Sequence, residues 1–218
     1  STVDSSYIDS LVQFYSSGSG GGCDFLYPEG FNGEAVTSPI STTISYTVPY
    51  GKRLYVLHLD NMSPVVDGDI LNYNIHNNGK PLILNSGQVL EGSNSNTIYF
   101  NGFLVDKNLD LEAVISPINT TTSYTVPAGK RLYVLHLDNQ QPVVDGNLLS
   151  YNIHNSSKPL ILNSGQVLTG GYTYMYYFNG YLVDENYFAD CGVGSSISSI
   201  VDSSYIDSLV QFYSSGNG

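Results

Sequence analysis

Asp60, Asp67 and Asp69 fall within ten residues of one another, with Asn61 among them, and Asp138, Asn139, Asp145 and Asn147 repeat the grouping further on. Carboxylate and amide oxygens gathered by adjacent loops are what a calcium ion takes as ligands, so Asp60, Asp67, Asp69, Asp138 and Asp145 form the candidate metal set. Tight turns are built from the same residue types, and that reading competes with the ion at each position. Histidine offers less. His58 and His136 stand in LHLD, His76 and His154 in YNIHN, and a pair of this kind would have Asp60 as its nearest third ligand. GxSxG, GxGxxG and Walker loops are all missing from the sequence. Paired carboxylates for glycoside hydrolysis are hard to place, because Glu91 becomes Thr169 in the later stretch and Glu29, Glu34, Glu112 and Glu185 fall in linking segments. The chain reads as a non-enzyme, with calcium as its one candidate cofactor. Cys23 and Cys191, 168 residues apart, are disulfide candidates, within one chain or between chains. Closing a loop of that length would contribute up to about 5 kcal/mol. Neither CxxC spacing nor a Cys/His cluster supports zinc. Finally, Tyr172, Tyr174 and Tyr176 stand in GGYTYMYYF where an earlier stretch has GSNSNTIYF. Tyrosines alternating along one strand face would stack on sugar rings or pack against a neighbour, so these three are candidate ligand contacts.

The aspartate, histidine and tyrosine candidates belong to a repeated unit. Residues 36–106 align with 114–184 at a constant offset of 78, without gaps, and 52 of the 71 positions are identical. YTVPYGKRLYVLHLDN and YTVPAGKRLYVLHLDN open the two copies, KPLILNSGQVL occurs in both, and YFNGFLVD and YFNGYLVD close them. Alternation and β-branched or aromatic content predict strands over 43–48, 53–60, 70–76, 81–84, 88–90 and 97–105. Turn chemistry separates them at Pro49-Tyr50-Gly51, Asp67-Gly68, Asn77-Asn78-Gly79, Asn85-Ser86-Gly87 and Asn101-Gly102. The pattern predicts a mainly β protein of two tandem antiparallel β-sandwich modules, jelly-roll-like, at 36–107 and 108–185. Their link, 107–113, has no glycine and should hold the pair in a fixed orientation.

A second duplication brackets the first. VDSSYIDSLVQFYSSG occupies 3–18 and recurs letter for letter at 201–216. At 100° per residue Tyr7, Ile8, Leu11, Val12, Phe14 and Tyr15 share an arc of about 160°, the mark of a short amphipathic α-helix. Roughly 12 residues and 18 Å make such a helix marginal alone, so its apolar face needs a cover. That cover is either its own β module or the same helix from parallel neighbouring chains. In the second case these six residues, with Tyr205, Ile206, Leu209, Val210, Phe212 and Tyr213, are the oligomerisation contact. The expected organisation is an oligomerisation helix at 1–18, a Gly-rich linker with its cysteine at 19–35, and the two modules. A second linker with its cysteine follows at 186–200, then the repeated helix at 201–218. Because the end repeats the beginning, the chain reads as one period of a longer tandem array; a complete protein with matching terminal helices is the alternative.

Composition narrows the partners. Seven Lys+Arg against 19 Asp+Glu give a formal charge of −12, which disfavours a nucleic-acid backbone. With 41% hydrophobic and 12% aromatic residues a packed core is within reach, and disorder is a poor reading. No apolar run approaches the roughly 18 residues of a membrane span. The chain opens Ser1-Thr2-Val3 without a basic-then-apolar leader, as a mature product or a slice of something longer would.

Taken together, the duplicated helix, GGGCDFLYPEG, the two VPxGKxLYVL copies and FNGYLVDEN resemble the long repetitive surface fibre proteins of gliding marine bacteria, including the grappling-hook filaments of predatory species. The resemblance implies secretion, an extracellular or cell-surface location, and assembly of parallel copies into a homo-oligomeric filament for attachment or prey capture. Its partners would be copies of itself, and then cell-surface glycans or proteins. Phage tail fibres share the grammar of small β modules joined by oligomerising helices. A carbohydrate-binding adhesin module is the rival from another functional class.

Overall fold

The computed structural model describes residues 24–60, 63–71, 79–137, 141–149, 153 and 158–191. Both segments expected to be helical, with their twelve contact candidates, lie outside the described residues, as do Cys23, Asp138, His76 and His154. The chain divides after Glu185. Beyond that point the described residues carry one 3-10 turn, Ala189–Cys191.

The described residues before it form a mainly β, sandwich-like fold of four antiparallel four-stranded sheets. The first copy supplies β1 (Glu34–Ile40), β2 (Tyr46–Thr47), β3 (Lys52–Leu59), β4 (Pro64–Val66), β5 (Asp69–Ile70), β6 (Leu82–Leu84), β7 (Val89–Gly92) and β8 (Ile98–Asp106). Its sheets run β1-β8-β3-β6 and β2-β7-β4-β5. The second copy supplies β9 (Leu111–Ile118), β10 (Ser123–Thr125), β11 (Lys130–Leu137), β12 (Pro142–Val144), β13 (Asn147–Leu148), β14 (Leu160–Leu162), β15 (Val167–Gly170) and β16 (Tyr176–Asp184). It pairs them in the same way, as β9-β16-β11-β14 and β10-β15-β12-β13.

The period of two in KRLYVLHL decides which side chains fill the core. Leu54 and Val56 of β3 point inward with Ile40, Leu84, Phe100 and Leu104, and meet Val66 and Leu90 from the facing sheet. In the second copy Leu132 and Val134 do the same with Leu162, Phe178 and Leu182. Arg53 and Tyr55, and likewise Arg131 and Tyr133, are left on the opposite face. A bulge between Val56 and His58, repeated between Val134 and His136, shifts the register before each LHLD ends.

The strand expected over 97–105 forms as β8 and runs straight through Asn101-Gly102, whose dipeptide chemistry also signals a turn; the counterpart Asn179-Gly180 lies likewise within β16. Glycine is there for clearance. A Cβ on Gly102 would stand 2.2 Å from the Tyr55 carbonyl oxygen, and one on Gly180 2.1 Å from that of Tyr133. Asp67-Gly68 and Asp145-Gly146 are the true two-residue hairpins. All four residues take positive φ, as a type I′ turn demands. Two strands per copy escape the sequence pattern. β1 and β9 carry Pro39 and Pro117 in their interiors, and both are sheet edges, where a missing N–H breaks no ladder. β4 and β12 open on Pro64 and Pro142 and are three residues long. Since β9 already starts at Leu111, the link between the copies shortens to residues 107–110.

Candidate functional site

The distinctive chemistry of the fold lies where the two copies meet. β6, an edge strand of the first copy, lies against the face of β16 and β9 that turns away from the second copy's core. A sheet edge leaves backbone N–H and C=O groups unpaired, and here a side chain takes the place of the missing strand. Ile83 N–H donates to Asn179 Oδ1 at 3.2 Å, and Asn179 Nδ2 donates back to the Ile83 carbonyl at 3.0 Å. Nδ2 also reaches the Val114 carbonyl at 3.4 Å. Asn85, just past β6, makes the reciprocal contact. Ala113 N–H donates to its Oδ1 at 3.1 Å, and its Nδ2 donates to the Ala113 carbonyl at 2.7 Å. Lys80 Nζ donates to the Ile153 carbonyl at 2.6 Å, and His136 Nε2–H donates to the Lys80 carbonyl at 3.1 Å. Tyr177 donates its hydroxyl to Asp69 Oδ1 at 2.8 Å, which raises the phenol above its usual range. Ile115 and Tyr177 pack on the first copy's core. Asn179, His136 and Ile83 are fully buried, and Lys80 is 1% exposed.

Residues 24–33 reach both copies. Phe25 stacks on Tyr133, which stacks on Tyr181 with ring centres 5.0 Å apart, and Tyr181 donates its hydroxyl to the Phe25 carbonyl at 2.7 Å. Tyr27 and Phe31 lie over Phe103, itself stacked on Tyr55 at 5.0 Å. Glu29 is buried with Arg53, which donates Nη1 to Glu29 Oε1 and Nη2 to the Leu111 carbonyl. Its other oxygen accepts the Tyr55 hydroxyl at 2.8 Å, and Oε1 accepts the Asn108 amide at 2.9 Å. Segment, first copy and link are therefore tied by one buried carboxylate.

No family model, curated protein or solved structure matches this chain significantly.

The residues singled out for ligand chemistry are placed as follows. Asp67 and Asp145 bend back from their hairpins. Each accepts a backbone amide at 2.9 Å, from Val89 or Val167, and a glutamine side chain, Gln88 at 2.9 Å or Gln166 at 2.8 Å. The Val167 amide foremost, then Gln166, holds the Asp145 carboxyl below its ordinary range. Asp69 belongs to the seam. Asp60 is open to solvent beside His58, at 3.6 Å. Among the described residues no three His, Cys, Asp or Glu side chains converge as a metal-holding group. Tyr172 and Tyr174 are 47% and 59% exposed, in the bend before β16, with rings 5.8 Å apart; Tyr176 is buried in the second copy's core. Cys191 is disulfide-bonded. Two shallow depressions of about 250 and 200 Å³ beside the link share Lys107 and Leu109. No helix among the described residues is long and apolar enough to cross a membrane.

Sequence reasoning singled out neither Asn179, Lys80, Asn85, Glu29 nor Arg53. The signal was present but muted, because FNG, KPLIL and GKR occur in both copies, and identity between copies hides which member of each pair is buried.

Burial of Lys80 has a measurable consequence. Desolvation lowers its ammonium from the ordinary 10.5 to about 8. With the folded value the lower one, the unfolded chain holds the extra proton between those limits, so stability climbs with pH across that window. Between pH 7.5 and 9.5 the native chain should gain about 2 kcal/mol relative to Lys80→Met. Denaturant unfolding of both proteins at the two pH values checks this; parallel pH profiles would place the Lys80 ammonium in contact with solvent.

Proposed function

We propose that this protein is a non-enzymatic structural repeat unit of an extracellular homo-oligomeric filament used for attachment or prey capture. Its two copies act as jelly-roll-like spacer modules, and its short terminal helices hold parallel chains in register. The observation that carries the reading is the seam. Asn179, Lys80 and His136 commit buried hydrogen bonds, and Asn85 half-buried ones, to locking one spacer to the next, an arrangement suited to transmitting force along a chain. The exact recurrence of residues 3–18 at 201–216 supports periodic assembly, and the likeness to bacterial surface fibres supplies the biological role. Electron micrographs of the native material test the reading. Filaments with a regular axial repeat are expected, and dispersed single particles would overturn it.

A second reading rests on Tyr172 and Tyr174, stacked on each other and open to solvent. A pair of exposed aromatic faces is a surface on which a sugar ring can stack, as an adhesin module requires. A glycan array probed with the whole chain separates the two readings, since a pure spacer gives no saccharide-specific signal.

A further inference from the structure

The seam joins unlike faces. The first copy contributes a strand edge, with Ile83 at its centre; the second contributes a sheet face, with Asn179 at its centre. Because the copies repeat at an offset of 78, each also carries the half that its partner uses. Ile161 is the counterpart of Ile83, at the same place on β14, the edge strand of its sheet. It is 45% exposed where Ile83 is fully buried. Asn101 is the counterpart of Asn179, at the same place on β8, and it is exposed, its Nδ2 donating to Thr37 Oγ1 at 3.1 Å. Tyr99, counterpart of the seam residue Tyr177, is 55% exposed. His58, counterpart of the buried His136, has 44% of its side chain open. The described residues thus present one used interface and the two halves of a second.

We propose that a second copy of this chain docks on the Ile161 edge through its own Asn101 face, repeating between molecules the contact that joins the two copies within one. The Asn101 carboxamide turns from Thr37 to take the backbone N–H and C=O of Ile161, as Asn179 takes those of Ile83. Asn163 and Lys158 stand where Asn85 and Lys80 do, and Ala35 stands where Ala113 does. Two positions differ. Asp69 is replaced by Asn147, which still offers an acceptor oxygen to a tyrosine hydroxyl, and Ile115 is replaced by Thr37, which makes the intermolecular contact less apolar. An interface between unlike faces leaves one of each kind free after every addition, so it propagates into an open array unless the rotation closes a ring. The inference rests on the filament reading and gives it an axial contact, distinct from the lateral one expected of the helices.

Both central residues are exposed, so substitutions there leave the fold intact. Ile161→Lys places a charge on the docking edge. Asn101→Asp removes the donor and sets a carboxylate against the Ile161 carbonyl. The short link within one chain supplies an effective concentration on the order of millimolar, so mass is followed by sedimentation up to about 1 mM protein, at about 0.15 M salt to screen the negative charge. The native chain should grow in mass with concentration, and each variant alone should not. An equal mixture of the two variants should restore a species twice the mass of either variant's own particle, because each keeps the half that the other has lost. Growth unaffected by either variant, or a mixture that stays at the mass of its components, overturns the inference. If that result coincides with filaments in native material, the axial contact falls and the filament reading stands. Restored pairing in the mixture without native filaments leaves the contact standing and removes the reading.

Discussion

Replacing Glu29 by alanine should lower stability by about 3–5 kcal/mol, the range for removing one partner of a buried ion pair. The Glu29 and Arg53 side chains are 4% and 0% exposed, so the guanidinium left behind is a buried charge without its carboxylate. It keeps the Leu111 and Asn108 carbonyls, but dipoles compensate a buried charge less well than a carboxylate does. The Tyr55 hydroxyl and the Asn108 amide lose their acceptor in the same step. Burial first, and Glu29 second, push the Tyr55 phenol above its usual range, so it stays protonated and in need of an acceptor at every accessible pH. Three further variants separate the charge from the packing. Glu29→Gln keeps an acceptor and should fall short of the alanine loss. A Glu29→Met, Arg53→Met double variant removes both charges and should recover most of the stability, since well-packed apolar replacements of buried pairs are often neutral. Arg131→Ala, at the matching position of the second copy, should change stability by at most about 1 kcal/mol, because Arg131 donates to the exposed Asn163 side chain and not to a buried carboxylate. Guanidinium chloride midpoints give the four values. If Glu29→Ala and Arg131→Ala cost the same, the buried tie between segment, first copy and link does not exist.

The strand-rich architecture could be read from the sequence because KRLYVLHL and its neighbours alternate with period two and the copies reinforce each other. The two hairpins were legible for an equally local reason, since Asp-Gly at 67–68 and 145–146 meets a backbone demand for positive φ. Asn101-Gly102 carries nearly the same dipeptide signal, yet its glycine answers a demand from Tyr55, 47 residues away in sequence, which no local pattern can report. The edge strands β1 and β9 were hidden by prolines that only an edge tolerates. Of the carboxylates grouped in loops, Asp67 and Asp145 accept hydrogen bonds from Val89, Gln88, Val167 and Gln166, partners about 21 residues on in sequence. The seam was illegible for a deeper reason. Repetition tells the reader that two positions are alike, and the seam makes them differ.

That difference should be visible in one pair of substitutions. Asn179→Ala should destabilise the chain by roughly 2–4 kcal/mol, because it strands the N–H and C=O of the fully buried Ile83, and each buried, unsatisfied group costs about 1–3 kcal/mol. Asn101→Ala, the same change in the same YFNG context, should stay within about 0.5 kcal/mol, since its carboxamide faces solvent and one threonine. No intrinsic strand propensity can produce such a gap, as the two residues share neighbours and strand position. The form of the unfolding curve carries a second test. With the seam intact, the copies are coupled through Asn179, Asn85, Lys80 and His136 and should unfold in a single transition. Once Asn179 is gone, each copy keeps its own core, and the curve should separate into two steps of smaller denaturant dependence. Equal losses at positions 101 and 179, with one unchanged transition in both, would mean that the Asn179 carboxamide does not join the copies. The axial docking of Asn101 on Ile161 would then lose the contact on which it is patterned.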